Sequence, residues 1–136
     1  MTTKYPHNDE TKSVLSQSAD FVQRDGLNYL ISKWQRFADE YAEEEDLIYE
    51  WQNDLDTRKI IDEILATLSD SDKINIEAEL RIIDSKVIEK TFEINECVWG
   101  DKVQTEYNYD RVKNWYYYRM NQKVFESRQG DFTKKH

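Results

Sequence analysis

Nine carboxylates within twenty residues, with no lysine or arginine among them, constrain this chain more than any other feature. The stretch is residues 38–57, ADEYAEEEDLIYEWQNDLDT, and its acids are Asp39, Glu40, Glu43, Glu44, Glu45, Asp46, Glu50, Asp54 and Asp56. A plain acidic run would stay solvated coil, but Tyr41, Leu47, Ile48, Tyr49, Trp51 and Leu55 are threaded through this one. Apolar side chains need a core, and carboxylates need water or partners. The stretch is therefore expected to be a junction between helices, its apolar residues facing the core and its carboxylates forming one exposed negative ridge.

The whole chain carries a net charge of −9, the same as this stretch alone, so the remaining residues balance. They do not balance locally. Residues 58–110 hold seven bases and thirteen acids, whereas residues 111–136 hold seven bases and two acids. A basic end and an acidic middle attract each other, so the first expectation is internal charge complementarity. An acidic chain is repelled by phosphate, which makes nucleic acid an unlikely partner.

At 136 residues the length fits one domain with one core. A charged share of 35% against 38% apolar would suggest disorder if the apolar residues were small. They include 18 aromatics, each able to bury a large area, and there are only three Gly and one Pro. The expected fold class is mainly α: a single domain of four to five helices with an irregular or short-hairpin aromatic C-terminal segment. Residues 1–9 are read as a mobile terminus, 10–120 as the helical domain and 121–136 as a basic polar tail. No apolar run approaches the roughly 18 residues that span a bilayer, and the N-terminus lacks the apolar centre of a secretory signal. With a single Cys97, no internal disulfide forms. These features point to the cytoplasm, and no membrane partner is expected.

Helical spacing is clearest over residues 27–44, where Leu27, Leu30, Ile31, Trp34, Phe37, Ala38 and Tyr41 share one face. A helix over 10–24 is expected to precede it, stopped at Gly26. Residues 43–46 suit the first turn of a following helix better than the end of one, because negative charge opposes the C-terminal end of the dipole. Beyond them run either a short helix and a second helix capped by Asp54 or Asp56, or one continuous bent helix over 46–68. Ser69, Asp70, Ser71 and Asp72 form a turn and N-cap cluster. Ile76, Leu80, Ile83 and Val87 make the next stripe, and Asp84 lies on or beside it. A carboxylate there needs a partner. Past Phe92 no helical stripe persists, and Gly100-Asp101 is expected to turn a small hairpin.

Catalytic groups are few. His7 and His136 are the only histidines and lie near the ends, so Cys97 has no internal base, and no Gly-rich phosphate loop or GxSxG elbow occurs. Asp39/Glu43 and Glu40/Glu44, spaced i, i+4, would catch a divalent cation only weakly. No catalytic residue, metal site or cofactor is assigned. The run Trp115, Tyr116, Tyr117, Tyr118 reads either as core, packed on Trp34, Phe37 and Trp51, or as surface, where Trp115, Tyr117 and Arg119 would make an aromatic-plus-Arg hot spot.

The segments IIDSKVIEKTFE, ECVWG and NWYYYRM are similar to those of a family of small uncharacterised bacterial proteins. The resemblance covers about residues 27–120. It matches Asp84, Thr91, the Trp99-Gly100 pair and the run from Trp115 to Arg119, together with Arg58 after Asp54 or Asp56. A proline expected just after the last arginine is replaced by Met120 and Asn121. The resemblance implies a bacterial cytosolic origin and one compact domain, and supplies no activity. It sharpens the expectation that Asp84 takes a bidentate bond from Arg58 or Arg119.

Three functional classes follow. The leading one is a non-enzymatic acidic protein-binding module that meets a basic protein, similar in charge and size alone to immunity or antitoxin proteins, with Glu43, Glu44, Asp46 and Glu50 on the docking ridge. The second is a small-ligand protein or enzyme with a pocket around Asp84, Trp99, Trp115 and Arg119. The third is a structural subunit of a homo-oligomer.

Overall fold

A wide turn at the end of the first helix decides which residues of the acidic stretch face inward. The computed structural model describes residues 20–134. Helix α1 (Asp20–Arg36) is interrupted at Gly26, whose φ of 65° and ψ of −148° lie outside helical space. That is the expected stop; the start of the helix expected over 10–24, the terminus 1–9 and both histidines lie outside the described residues. At Phe37–Tyr41 the backbone widens into a π-type turn, closed by Ala42 N donating to Phe37 O at 2.7 Å. One extra residue in the turn rotates everything beyond it. Ala42 takes the core position that Tyr41 would fill in a regular helix, and Tyr41 swings out to solvent. The expectation that Tyr41 faces the core is corrected on that ground.

Residues 43–46 are turn and loop, not the first turn of a helix. Helix α2 (Ile48–Leu65) then runs unbroken, so Asp54 and Asp56 are interior helix residues and not caps. Its inward face carries Trp51, Leu55, Ile61 and Ile64. Helix α3 (Asp70–Glu89) starts at Ser69, whose Oγ accepts from Asp72 N at 3.3 Å, and buries the stripe Ile76, Leu80, Ile83 and Val87. A second set of isoleucines, Ile74, Ile82 and Ile88, is exposed on α3.

Beyond α3, Gly100 (φ 90°) opens a short helix α4 (Asp101–Tyr107), where a hairpin was expected. The sheet is instead a long-range pair: β1 (Phe92–Glu93) runs antiparallel to β2 (Arg119–Met120), with Phe92 opposite Met120. Trp115–Tyr118 form a 3₁₀ turn just before β2. The segment read as a polar tail folds into helix α5 (Gln122–Lys134), with Val124 buried and Phe125 edge-on to Phe92 at 5.4 Å. A short amphipathic face, Val124 and Phe125, was too small to stand out in a basic sequence.

The described residues thus form one mainly α domain of five helices with a two-stranded sheet. Helix α2 is its centre, packed by α1, α5 and the 3₁₀ turn, while α3 lies on α1 and the wide turn. Trp34 stacks on Phe37 at 5.2 Å, and Phe37 meets Trp51 edge-on at 5.2 Å. No described helix is long and apolar enough to cross a membrane.

Candidate functional site

Two groups of acids emerge, one satisfied inside the fold and one left facing out. The inner group begins with Asp84 on α3. Arg58 of α2 donates to it through Nε and Nη2, both at 3.0 Å, and Trp34 Nε1 donates to the same carboxylate at 2.9 Å. Arg58 also holds Asp62 one turn along its own helix, and Tyr116 Oη donates to Asp62 at 2.9 Å. Burial works against the Arg58 charge, but Asp84 and Asp62 outweigh it and raise its pKa. Burial also pushes the Asp62 carboxyl up, with Arg58 and Tyr116 pulling it back. Of the two arginines expected for Asp84, Arg58 supplies the fork.

Arg119 has a different task. It donates to Thr91 Oγ1 at 2.8 Å, Thr91 O at 3.0 Å and Ile88 O at 3.3 Å, so it satisfies carbonyls at the C-terminal end of α3. Trp99 and Trp115 are separate again. Trp99 Nε1 is buried without a well-formed hydrogen bond, although Asp56 is near enough to feel it. Trp115 is half-buried, edge-on to Tyr116 at 5.5 Å. Among the described residues Asp84, Trp99, Trp115 and Arg119 therefore sit in different contact sets. A cleft of about 270 Å³ does lie beside Asp62, but Lys59, Tyr107, Tyr109, Lys113 and Asn114 line it.

The aromatic run is core. Tyr116, Tyr117 and Tyr118 are buried, and their hydroxyls reach mostly side chains: Asp62, Asp56 at 2.5 Å and Gln104 at 2.8 Å. Burial lifts all three phenols above their usual pKa, Tyr116 and Tyr117 most strongly. Two acids of α2 thus serve as acceptors for tyrosines some sixty residues away, a pairing with no local sequence signal. Cys97 is buried, and burial pushes its thiol up, away from the reactive thiolate.

The outer group occupies the wide turn, the loop and the start of α2. Some of its acids are used: Asp39 pairs with Lys86 at 3.0 Å, Glu40 with Arg36 at 3.5 Å and Glu44 with Lys123 at 2.8 Å. Those hydrogen bonds hold the Asp39 and Glu44 carboxyls below their usual pKa. Lys123 is the one base of the C-terminal segment that reaches residues 38–57 among the described residues. Arg111 and Arg119 turn to Glu93, and Arg128 to Glu96 at 2.6 Å. The internal charge complementarity is real but largely directed elsewhere. Glu43, Asp46, Glu50 and Asp54 have no ion pair among the described residues.

Large apolar side chains stand among these acids. Tyr41 is 46% exposed, Leu47 49% and Tyr49 75%. Leu47 and Tyr49 were expected to face the core; they flank the half-buried Ile48, and of the large apolar residues in this stretch only Trp51 and Leu55 are fully inward. Among the described residues no group of three His, Cys, Asp or Glu is gathered to hold a metal ion. No family model, curated protein or solved structure matches the chain.

Proposed function

We propose that the protein is a non-enzymatic binding module whose acidic, aromatic-bearing face docks on a basic protein in the cytosol. One observation carries this reading: Tyr41, Leu47 and Tyr49 are exposed among Glu43, Asp46 and Glu50, acids without an ion pair among the described residues. Isolated surface leucines need no explanation, but apolar rings interleaved with unneutralised charge have the composition of a protein interface. The charges would speed encounter and select against acidic partners, and the rings would supply contact area. The test is capture of partners from a cell extract at low and moderate salt, comparing wild type with Tyr49→Ser and Leu47→Ser. Retention should fall steeply with salt and with either substitution. A partner held equally by all three proteins at both salt levels would overturn the reading.

A homo-oligomer subunit is the second reading, and it rests on the exposed Ile74, Ile82 and Ile88 of α3. Sedimentation of the wild type against Ile82→Ser separates the two, because only a homo-oligomer would change mass.

A further inference from the structure

Below the exposed ridge lies a single buried acid. Glu45 sits in the loop before α2 with only 8% of its surface exposed, and its Oε1 meets no hydrogen-bond donor. The backbone holds it in place: Glu45 N donates to Tyr41 O at 2.8 Å, and Glu45 O accepts from Asn121 Nδ2 at 2.8 Å. The same Asn121 amide donates to Ala42 O at 3.0 Å, and Asn121 Oδ1 accepts from Val124 N at 2.7 Å. Those bonds fix the backbone of Glu45, from which the side chain lies inward. The side chain lines an open cavity of about 390 Å³, shared with Tyr41, Glu50, Asn53 and Asp54.

An unbonded carboxyl oxygen out of reach of water costs free energy, and native folds rarely leave one without a reason. The charged groups that bear on Glu45 are Asp54 and Glu50 of α2 and Asp46 of its own loop, all acids. From α5, the uncharged Asn121 meets the loop, while Lys123 is taken by Glu44. In the free protein the Glu45 proton is shared with Asp54, while Oε1 meets no donor and no base among the described residues pairs with either carboxyl.

Resting on the docking reading above, we propose that the cavity receives a lysine or arginine side chain of the basic partner, its cationic head meeting Glu45 and Asp54. The acceptor set explains the choice. Three carboxyls and one amide suit the several N–H donors of an ammonium or guanidinium group, and the Tyr41 ring suits its alkyl stem or its charge.

A physical consequence makes the proposal testable apart from the docking reading. Burial pushes the Glu45 carboxyl up to about 9, with Asp54, Glu50 and Asp46 adding to the rise, so the free protein carries a proton there at neutral pH. A cation in the cavity favours the ionised form. Insertion therefore expels that proton to the buffer, about one per side chain bound near pH 7.

The experiment titrates the full chain, isotopically labelled, with blocked tripeptides whose central residue is Lys, Arg or Gln. The Lys and Arg peptides should shift the amide resonances of Tyr41, Glu45, Asn53 and Asp54, and the Gln peptide should not. Calorimetry in buffers of different ionisation enthalpy should show the proton release. Glu45→Gln should weaken binding about tenfold and abolish the release, whereas Glu77→Gln, exposed on α3 and outside the cavity lining, should change affinity less than about twofold. A melting curve checks the fold of Glu45→Gln; if that variant is unfolded, Asp54→Asn carries the comparison. Shifts spread evenly over Glu43, Glu44 and Asp46, indifferent to Glu45→Gln, would overturn the pocket and leave the docking face standing. No response to either basic peptide would overturn the pocket, while the docking face stands or falls by the capture experiment.

Discussion

Asp84 and Glu45 are carboxyls taken out of bulk water, one on a helix and one in a loop, and they differ in what faces them. Asp84 meets Arg58 and Trp34, three donors from two other helices. Glu45 meets Asp54, Glu50 and Asp46, and its Oε1 has no donor. A buried acid with donors is part of the scaffold, because removing a partner strands charge. A buried acid among acids adds nothing to the scaffold. It is tolerated by holding a proton, and it is free to act on something that arrives from outside. The comparison divides the acidic residues of this chain by their neighbours and not by their position in sequence.

The largest effects should come from the scaffold side. Arg58→Met strands both Asp84 and Asp62 and should cost about 3–5 kcal/mol in denaturant unfolding. Asp84→Asn keeps an acceptor for Trp34 and should cost less, about 2 kcal/mol. A loss below about 1 kcal/mol for Arg58→Met would erase the distinction between the two acids. Arg119→Lys comes next, at about 1–2 kcal/mol, since an ammonium cannot reproduce the fork that reaches Thr91 Oγ1, Thr91 O and Ile88 O together.

Much of the scaffold was legible in the residues. The spacing of Leu27, Leu30, Ile31, Trp34 and Phe37 marks a helix, Ser69 marks a cap, and Asp84 beside an apolar stripe announces a need for a partner. The outer face was misread for a local reason. A helix period of 3.6 assigns Tyr41 to the core, and one extra residue in the turn reverses it. Leu47 and Tyr49 followed the composition rule that apolar residues go inside, which fails where a loop leaves them nothing to pack on. Glu45 was indistinguishable from Glu43 and Glu44 in sequence. Only the Asn121 clip, 76 positions away, sets it apart. Tertiary partners at such separations leave no trace in periodicity.

Stability on the Glu45 side should move with pH in a definite direction. An unfolded glutamate titrates near its ordinary 4.5, while the folded one keeps its proton to higher pH. Below 4.5 both states are protonated, and no difference arises. Between 4.5 and about 9 the folded state holds the extra proton, so stability falls as pH rises. Asp62 and Asp56, both pushed up by burial, add slopes of the same sign. Glu45→Gln removes the Glu45 share and should stabilise the protein at pH 8 by roughly 3–5 kcal/mol, with little change at pH 4.5. Melting curves at the two pH values measure it. A destabilised Glu45→Gln at pH 8 would mean that the acid has a donor after all and belongs with Asp84.

The smallest effect on stability is expected where the proposed function is concentrated. Tyr49 lies in the first turn of α2, 75% exposed and outside the core, so Tyr49→Ser removes almost no buried contact. Its cost should stay within about 0.5 kcal/mol, the range of ordinary surface substitutions. Trp51, two residues on, is fully buried and donates through Nε1 to Arg119 O at 3.0 Å. Trp51→Ala should cost about 3–5 kcal/mol. If the two variants unfolded at similar denaturant concentrations, Tyr49 would be anchoring the fold and would no longer be available to a partner. If they differ as expected, the Tyr49 ring adds little to the fold and stays available to a partner.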